Sequence, residues 1–303
     1  MGSTVPAFDP GVRQRLTLRF GSEVEAWFDE LPAMLTALAE EWRFELGSQI
    51  PRGSVAAVFA CRMANGRRAV LKVSPDLARL AFEAAALGAW HTVHTPTVIA
   101  VNALLGALLI EAIEPGTPLV VFSIYPATDS VAELLGSLHG GGIPDASYPT
   151  VERRVAYLFD SSAKLYEGHP ELLALIPRTL YERGRRLATR LAQQDSPMVL
   201  LHGDLTPSNI LDGGAGRGLV AIDPAPCLGD AAFDAIDLTL WQADDLQTIT
   251  GRIEQLAAGT GVEADRLLGW CVAFAGMSAL DLASHGNVPR TRIETHLELA
   301  RQA

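Results

Sequence analysis

The chain has 303 residues, 49% of them apolar and 19% charged, enough for a sizeable core in one large domain or two lobes. Its 24 Lys and Arg against 35 Asp and Glu give a formal charge of −11, which repels a phosphate backbone, argues against nucleic acid and attracts cations, although net acidity also serves solubility alone. Cys61, Cys227 and Cys271 are odd in number and widely spaced, which excludes a disulfide framework or a zinc knuckle and fits reduced thiols in the cytoplasm.

The beginning of the chain lacks the apolar core of a secretory signal. Residues 22–41 carry Val24, Trp27, Phe28, Leu31, Leu35 and Leu38 at helical spacing, with a kink or break expected at Pro32. Strand-like runs follow at 42–50, 55–63 and 68–73, the last two joined by an Asn65-Gly66 hairpin turn. Ser74-Pro75-Asp76 then reads as the start of a helix reaching to Trp90. Residues 97–110 are the most apolar stretch. They are shorter than the roughly 20 residues of a membrane helix and read as buried strands at 98–101 and 107–113. Five strands with a helix after the third therefore make up a first lobe, 1–114.

Pro115-Gly116-Thr117-Pro118 breaks the pattern and opens a mainly helical second lobe, 115–303. Helices are expected at 130–138, 151–166 and 170–194, with a glycine loop at 140–142. A short strand at 198–201 and a small hairpin at 210–211 and 219–222 precede three further helices from Asp234 onward.

Chemistry concentrates in His202-Gly203-Asp204-Leu205-Thr206-Pro207-Ser208-Asn209 and in Ile222-Asp223-Pro224. Phosphoryl transfer from ATP needs a carboxylate to orient the acceptor hydroxyl, and an amide and a second carboxylate to hold Mg²⁺ against the phosphates. Asp204, Asn209 and Asp223 supply that set in that order. Such residues also build ordinary turns, but the upstream lysine weighs against that reading. Lys72 lies in the third strand, where an ammonium can meet the α- and β-phosphates, and Glu83 in the following helix would steady it as an ion-pair partner. Gly53 and Ser54 stand where a phosphate-covering loop would join the first two strands, though one glycine without G-x-G-x-x-G is a weak signal.

These residues resemble the aminoglycoside/hydroxyurea antibiotic resistance kinase family, and within it the streptomycin 6-kinases. The resemblance rests on Leu201-His202-Gly203-Asp204-Leu205 with Asn209, on Ala221-Ile222-Asp223-Pro224 with Gly229-Asp230 and Phe233-Asp234, and on Leu71-Lys72-Val73 and Leu109-Ile110-Glu111. It implies an α+β, two-lobed protein-kinase-like fold, with a five-stranded antiparallel sheet and a helix in the N-terminal lobe and ATP bound between the lobes. It further implies Asp204 as catalytic base, Asn209 and Asp223 as Mg²⁺ ligands, and Lys72 with Glu83 on the phosphates. Glu111 and Ile113 would hold adenine through backbone groups, and His202 and Asp234 would support the catalytic loop. Thr206, where relatives often carry His, leaves the acceptor open.

A small cationic, hydroxylated acceptor needs carboxylates, and Asp230, Asp244, Asp245 and Asp281 are the candidates, Asp281 because it interrupts an apolar helix at 272–282. Trp241 and Trp270 could face a sugar ring, although core packing accounts for both. Two alternatives stay open: a kinase of another metabolite or of a hydroxyurea-like compound, and a silent nucleotide-binding module.

Overall fold

The structure, a computed structural model, describes residues 8–51, 55–286 and 288–303. Gly53 and Ser54, and with them the phosphate-covering loop, lie outside the described residues. The chain divides into two compact units: Met1–Gly88 with Thr95–Gly116, and Ala89–His94 with Thr117–Ala303.

The first unit begins with α1 (Pro10–Phe20), which the sequence reading passed over. Asp9 caps it by accepting a hydrogen bond from the Val12 N–H, and Pro10 fills its first turn. Helix α2 (Val24–Trp42) continues through Pro32, which therefore does not break it. Pro32 lies on the exposed face, where water can serve the carbonyl it strands, while Leu31, Leu35 and Leu38 are buried on the opposite side. Strands β1 (Phe44–Ile50), β2 (Ala57–Met63), β3 (Arg68–Val73), β4 (Val98–Asn102) and β5 (Ala107–Glu111) form one antiparallel sheet in the order β1-β2-β3-β5-β4. Alternation along β3 sends Ala69, Leu71 and Val73 into a core shared with α2, Phe44, Phe59 and Leu109. Lys72 points to the other face, where α3 (Leu77–Ala89) supplies Glu83.

The second unit holds α4 (Thr128–Gly141), α5 (Val151–Ser162), α6 (Leu165–Gly168), α7 (Leu172–Leu175) and α8 (Arg178–Gln193). Strands β6 (Met198–Leu201), β7 (Ile210–Asp212), β8 (Leu219–Ala221) and β9 (Cys227–Asp230) follow, then α9 (Ile236–Leu240), α10 (Leu246–Thr260), α11 (Ala264–Ser284) and α12 (Arg290–Ala300). Pro177 divides the single helix expected at 170–194, and the helix expected at 151–166 stops at Ser162 before the short α6. Gly140 and Gly141 form the last turn of α4 rather than a loop. Four helices, not three, follow Asp234 among the described residues, because Gln242 takes a left-handed φ of 54° and Asp245 caps α10 afresh.

Phe159, Tyr181, Phe233, Trp270 and Phe274 pack largely edge to face around α11. Among the described residues α11 alone is long and apolar enough to cross a membrane, but 56% of its most apolar window is buried in this unit. The three cysteines are free and buried, and loss of solvation pushes their thiols up, Cys61 to about 12.

On α12, His296 is buried with Nδ1 against the Ser278 hydroxyl and Nε2 against the Leu240 carbonyl. Burial lowers its pKa from 6.5 to about 4, so the imidazole is neutral in the folded protein. Its contribution is intact above pH 6.5, the ordinary value, and is lost as pH falls toward 4 because the unfolded chain takes the proton first. Between pH 7 and 5 this one group is expected to cost about 2 kcal/mol of stability. Urea unfolding of the parent and of His296→Gln checks it: the variant should lose less stability over the same interval.

Candidate active site

Strand β6 is locked antiparallel to β9, Leu201 opposite Cys227, and its buried end delivers His202 directly. Gly203 follows with φ of +74°, and a Cβ there would stand 2.1 Å from the Ala225 carbonyl oxygen. That close approach lets the Ala225 N–H donate to the His202 carbonyl at 2.9 Å, which fastens the segment after Asp223 to the loop before Asp204. The loop closes on itself: Thr206 N–H donates to the Asp204 carbonyl and Asn209 N–H to the Thr206 carbonyl, each at 2.9 Å. Pro207 opens the 3-10 turn Pro207–Asn209 between them.

Asn209 and Asp223 are brought together by the β7–β8 hairpin, where the Ile222 N–H donates to the Asn209 carbonyl at 2.8 Å. Asp223 itself has φ of +59°, a left-handed conformation that aspartate tolerates better than most side chains and that recurs at functional sites. The Asn209 amide nitrogen donates to the Asp204 carbonyl at 2.9 Å and to Asp204 Oδ2 at 3.1 Å. Both amide donors are thereby committed to Asp204, and the amide oxygen is the atom left to meet a cation. One amide oxygen and one carboxylate suit Mg²⁺, which completes its octahedron with phosphate oxygens and water. A protein cage of three His, Cys, Asp or Glu ligands does not occur among the described residues.

Behind the loop, Asp234 is buried and accepts from the backbone N–H groups of His202 and Gly203, each at 2.8 Å. Burial pushes its carboxyl pKa up, but the His139 hydrogen bond and charge, with His202 and the Gly203 N–H, outweigh it, and the net shift is downward. Burial holds His202 below its ordinary value against the opposing pull of Asp234 and Asp204. Its Nε2 donates to the Ile222 carbonyl at 2.9 Å and its Nδ1 accepts from the Asp204 N–H at 3.3 Å, as a neutral ring should. Trp90 stacks on the ring, with centroids 6.1 Å apart.

Three residues that sequence reasoning missed complete this site. His139, in the last turn of α4, donates through Nε2 to Asp234 at 3.2 Å. Arg154 of α5 donates through Nε to the Gly203 carbonyl and through Nη2 to Asp204 Oδ1, both at 2.7 Å. Asp237 of α9 lies within electrostatic reach of Asp204, Arg154 and Asp281. Enclosure by protein and then the Asp204 charge push the Asp237 carboxyl up to about 7, although its exposed surface lets water temper that rise. Signals existed: Arg154 is three residues after buried Val151, and Asp237 three after Asp234, so each shares a helical face with a buried residue.

Other expected acceptor residues fare differently. Asp230 is not available to a substrate: its carboxylate, buried, accepts from Arg266 Nε, Trp270 Nε1 and the Ala232 N–H. Asp244 forms a two-pronged pair with Arg292 at 2.9 and 3.2 Å, and Asp245 caps α10. Asp281 is on the exposed side of α11, not buried in it, 3.8 Å from His285. Trp270 is wholly buried, whereas Trp241 is partly exposed beside Tyr125.

Within the first unit, Lys72 and Glu83 form a buried ion pair. Glu111 ends β5 with its N–H on the Thr97 carbonyl and its side chain on the Thr97 N–H, and Ile113 follows in the segment leading to Gly116.

A sequence model of the "Aminoglycoside/hydroxyurea antibiotic resistance kinase" family matches residues 41–286. The streptomycin 6-kinase of Streptomyces glaucescens is 25% identical over 83% of this chain and 82% of its own length. The hydroxyurea phosphotransferase of Kitasatospora aureofaciens is 26% identical over 92% and 81%. Among solved structures, the choline kinase LicA of Streptococcus pneumoniae shares the fold at 15% identity, with a TM-score of 0.57 over 93% of this chain and all of its own.

Proposed function

The chain belongs to the aminoglycoside/hydroxyurea antibiotic resistance kinase family, and we propose that it transfers the γ-phosphate of ATP to a hydroxyl of a cationic aminoglycoside such as streptomycin. The observation that carries this reading is the setting of Asp204. One carboxylate oxygen is held by Arg154 and the other by Asn209, with Asp223 two residues beyond the end of the adjoining strand β8. A carboxylate fixed in this way can accept a hydrogen bond from an acceptor hydroxyl, aim its oxygen at phosphorus and take its proton as the bond forms.

Asn209 and Asp223 would hold Mg²⁺, whose charge screens the phosphates. Lys72, steadied by Glu83, would bind the α- and β-phosphates, and the backbone of Glu111 and Ile113 would hold adenine. His202, Asp234 and His139 keep the loop in its shape. Most of the rate gain then comes from positioning and from fixed charge. Reduced thiols and dependence on ATP suit a cytoplasmic enzyme.

Support for a cationic acceptor comes from Asp237, whose proton affinity is raised by the neighbouring charges of Asp204 and Asp281. A bound ammonium or guanidinium would relieve that repulsion. The similarity to a hydroxyurea phosphotransferase favours a second reading, an uncharged hydroxylated acceptor, for which these acids have no evident use. Parallel reactions with Mg-ATP and either streptomycin or hydroxyurea, followed by ADP release and product mass, separate the readings. Streptomycin is expected to be phosphorylated, only with Mg²⁺, and well above hydroxyurea. Turnover of hydroxyurea alone would move the acceptor to the second reading. Stabilisation by Mg-ATP without turnover of either would point to a silent module.

A further inference from the structure

Helix α5 carries an arginine where the physics of a helix gives no reason for one. Arg154 lies one turn from the start of α5, close to the positive end of the helix dipole, where acids are favoured and cations are not. Its side chain is only 10% exposed, so the guanidinium has given up most of its water. A cation so placed is costly unless it is paired and hydrogen-bonded. Both requirements are met by the catalytic loop, through the Gly203 carbonyl and Asp204 Oδ1. Tyr157, one turn further on, lies 5.4 Å from the guanidinium and packs against it.

The start of α5 is also tied to the sheet that carries the loop. The Leu228 N–H donates to the Pro149 carbonyl at 2.8 Å, and Thr150 bridges to Leu228. Val151 fills the space a side chain at Gly229 would need, since a Cβ there would stand 2.5 Å from it. Strand β9 thus sets α5, and through it Arg154, in register with the end of β6 from which Asp204 emerges.

We propose that Arg154 is a positioning residue for the transfer reaction. It fixes the plane of the Asp204 carboxylate by holding Oδ1, so that Oδ2, shared with Asn209, meets the acceptor hydroxyl. It also supplies the counter-charge that lets Asp204 stand beside Asp237. The inference rests on the kinase reading of this site. Nothing between 202 and 209 can take this part, because the loop carries Thr206, Pro207 and Ser208, has no Lys or Arg, and holds His202 with both ring nitrogens already hydrogen-bonded.

The test compares the parent with Arg154→Ala and Arg154→Lys in streptomycin phosphorylation and in Mg-ATP hydrolysis with water as acceptor. For Arg154→Ala, kcat is expected to fall about 10²-fold, the scale of a small misplacement of a reacting group, with the KM for ATP and the stabilisation by Mg-ATP little changed. Added guanidinium, below denaturing concentration, should restore part of the rate in Arg154→Ala and none in the parent. Arg154→Lys keeps the charge but not the fork, and is expected to fall between the two. Should Arg154→Ala not fold, the lysine variant decides alone: kcat below the parent at equal melting temperature and equal KM for ATP supports the role. Parental kcat in either variant would overturn it. So would a loss of rate that tracks a loss of melting temperature and that guanidinium does not repair. A parent inactive with every acceptor and with water would instead sink the kinase reading itself.

Discussion

Asp204→Asn is expected to reduce acceptor phosphorylation by about 10³-fold, within the range lost when a positioned general base is removed. The amide cannot take a proton and brings no charge to Arg154, whose Nη2 now meets the carboxylate at 2.7 Å. Nucleotide binding should survive. In the proposed assignment Asn209, Asp223 and Lys72 carry it, and Asn209 reaches Asp204 partly through the backbone carbonyl, which the substitution leaves in place. The variant should therefore still be stabilised by Mg-ATP, by about 2.7 kcal/mol at a hundredfold excess over Kd. Its melting temperature without ligand should drop only slightly, because the Asp204 side chain is 30% exposed and water can take over part of the pairing. Coupled ADP detection at saturating acceptor, beside thermal shifts with and without Mg-ATP, measures both halves. Near-normal turnover would remove Asp204 from the reaction. Loss of nucleotide stabilisation together with turnover would show that the loop is built around the nucleotide rather than the acceptor.

What could be read from the sequence was whatever neighbours in the chain decide. The Asn65-Gly66 turn and the alternation around it place β2 and β3 within two residues, and the position of Glu83 eleven residues after Lys72 is enough to bring them together across a strand and a helix. Asp204, Asn209 and Asp223 were legible because one loop and one hairpin carry all three. Strand β9 was not: its four residues are buried on both faces, and no alternation marks them. Nor were the partners of Arg154 and His139, the loop and its support, which lie 50 and 95 residues away along the chain. Asp230 failed as a substrate residue for the same reason, since its partner Arg266 lies 36 residues on. Asp281 interrupts an apolar run, and α11 turns that position outward, where the acid keeps its water. Packing, not local pattern, chose these partners.

The ion pair of Lys72 and Glu83 offers the sharpest separation of stability from function. Each residue is 4% exposed, so each charge has lost most of its water and is met by the other at close range. Glu83→Gln or Lys72→Met, taken singly, removes one partner and is expected to destabilise the protein by about 3–5 kcal/mol. Lys72→Met combined with Glu83→Leu removes both charges and fills the space with apolar atoms, a change that is often neutral or stabilising by about 1–4 kcal/mol for buried pairs. Denaturant midpoints should therefore fall in the single variants and return close to the parental value in the double. Activity should not return with them. An ammonium on the phosphates is a preorganised charge of the kind whose loss costs about 10²–10³-fold in rate, and the double variant lacks it as completely as Lys72→Met does. If the double variant were both stable and fully active, the pair would be a folding device and the phosphates would need another cation. If it were unstable as well as inactive, β3 and α3 would need the charges themselves to pack, and the loss of activity would say nothing about ATP.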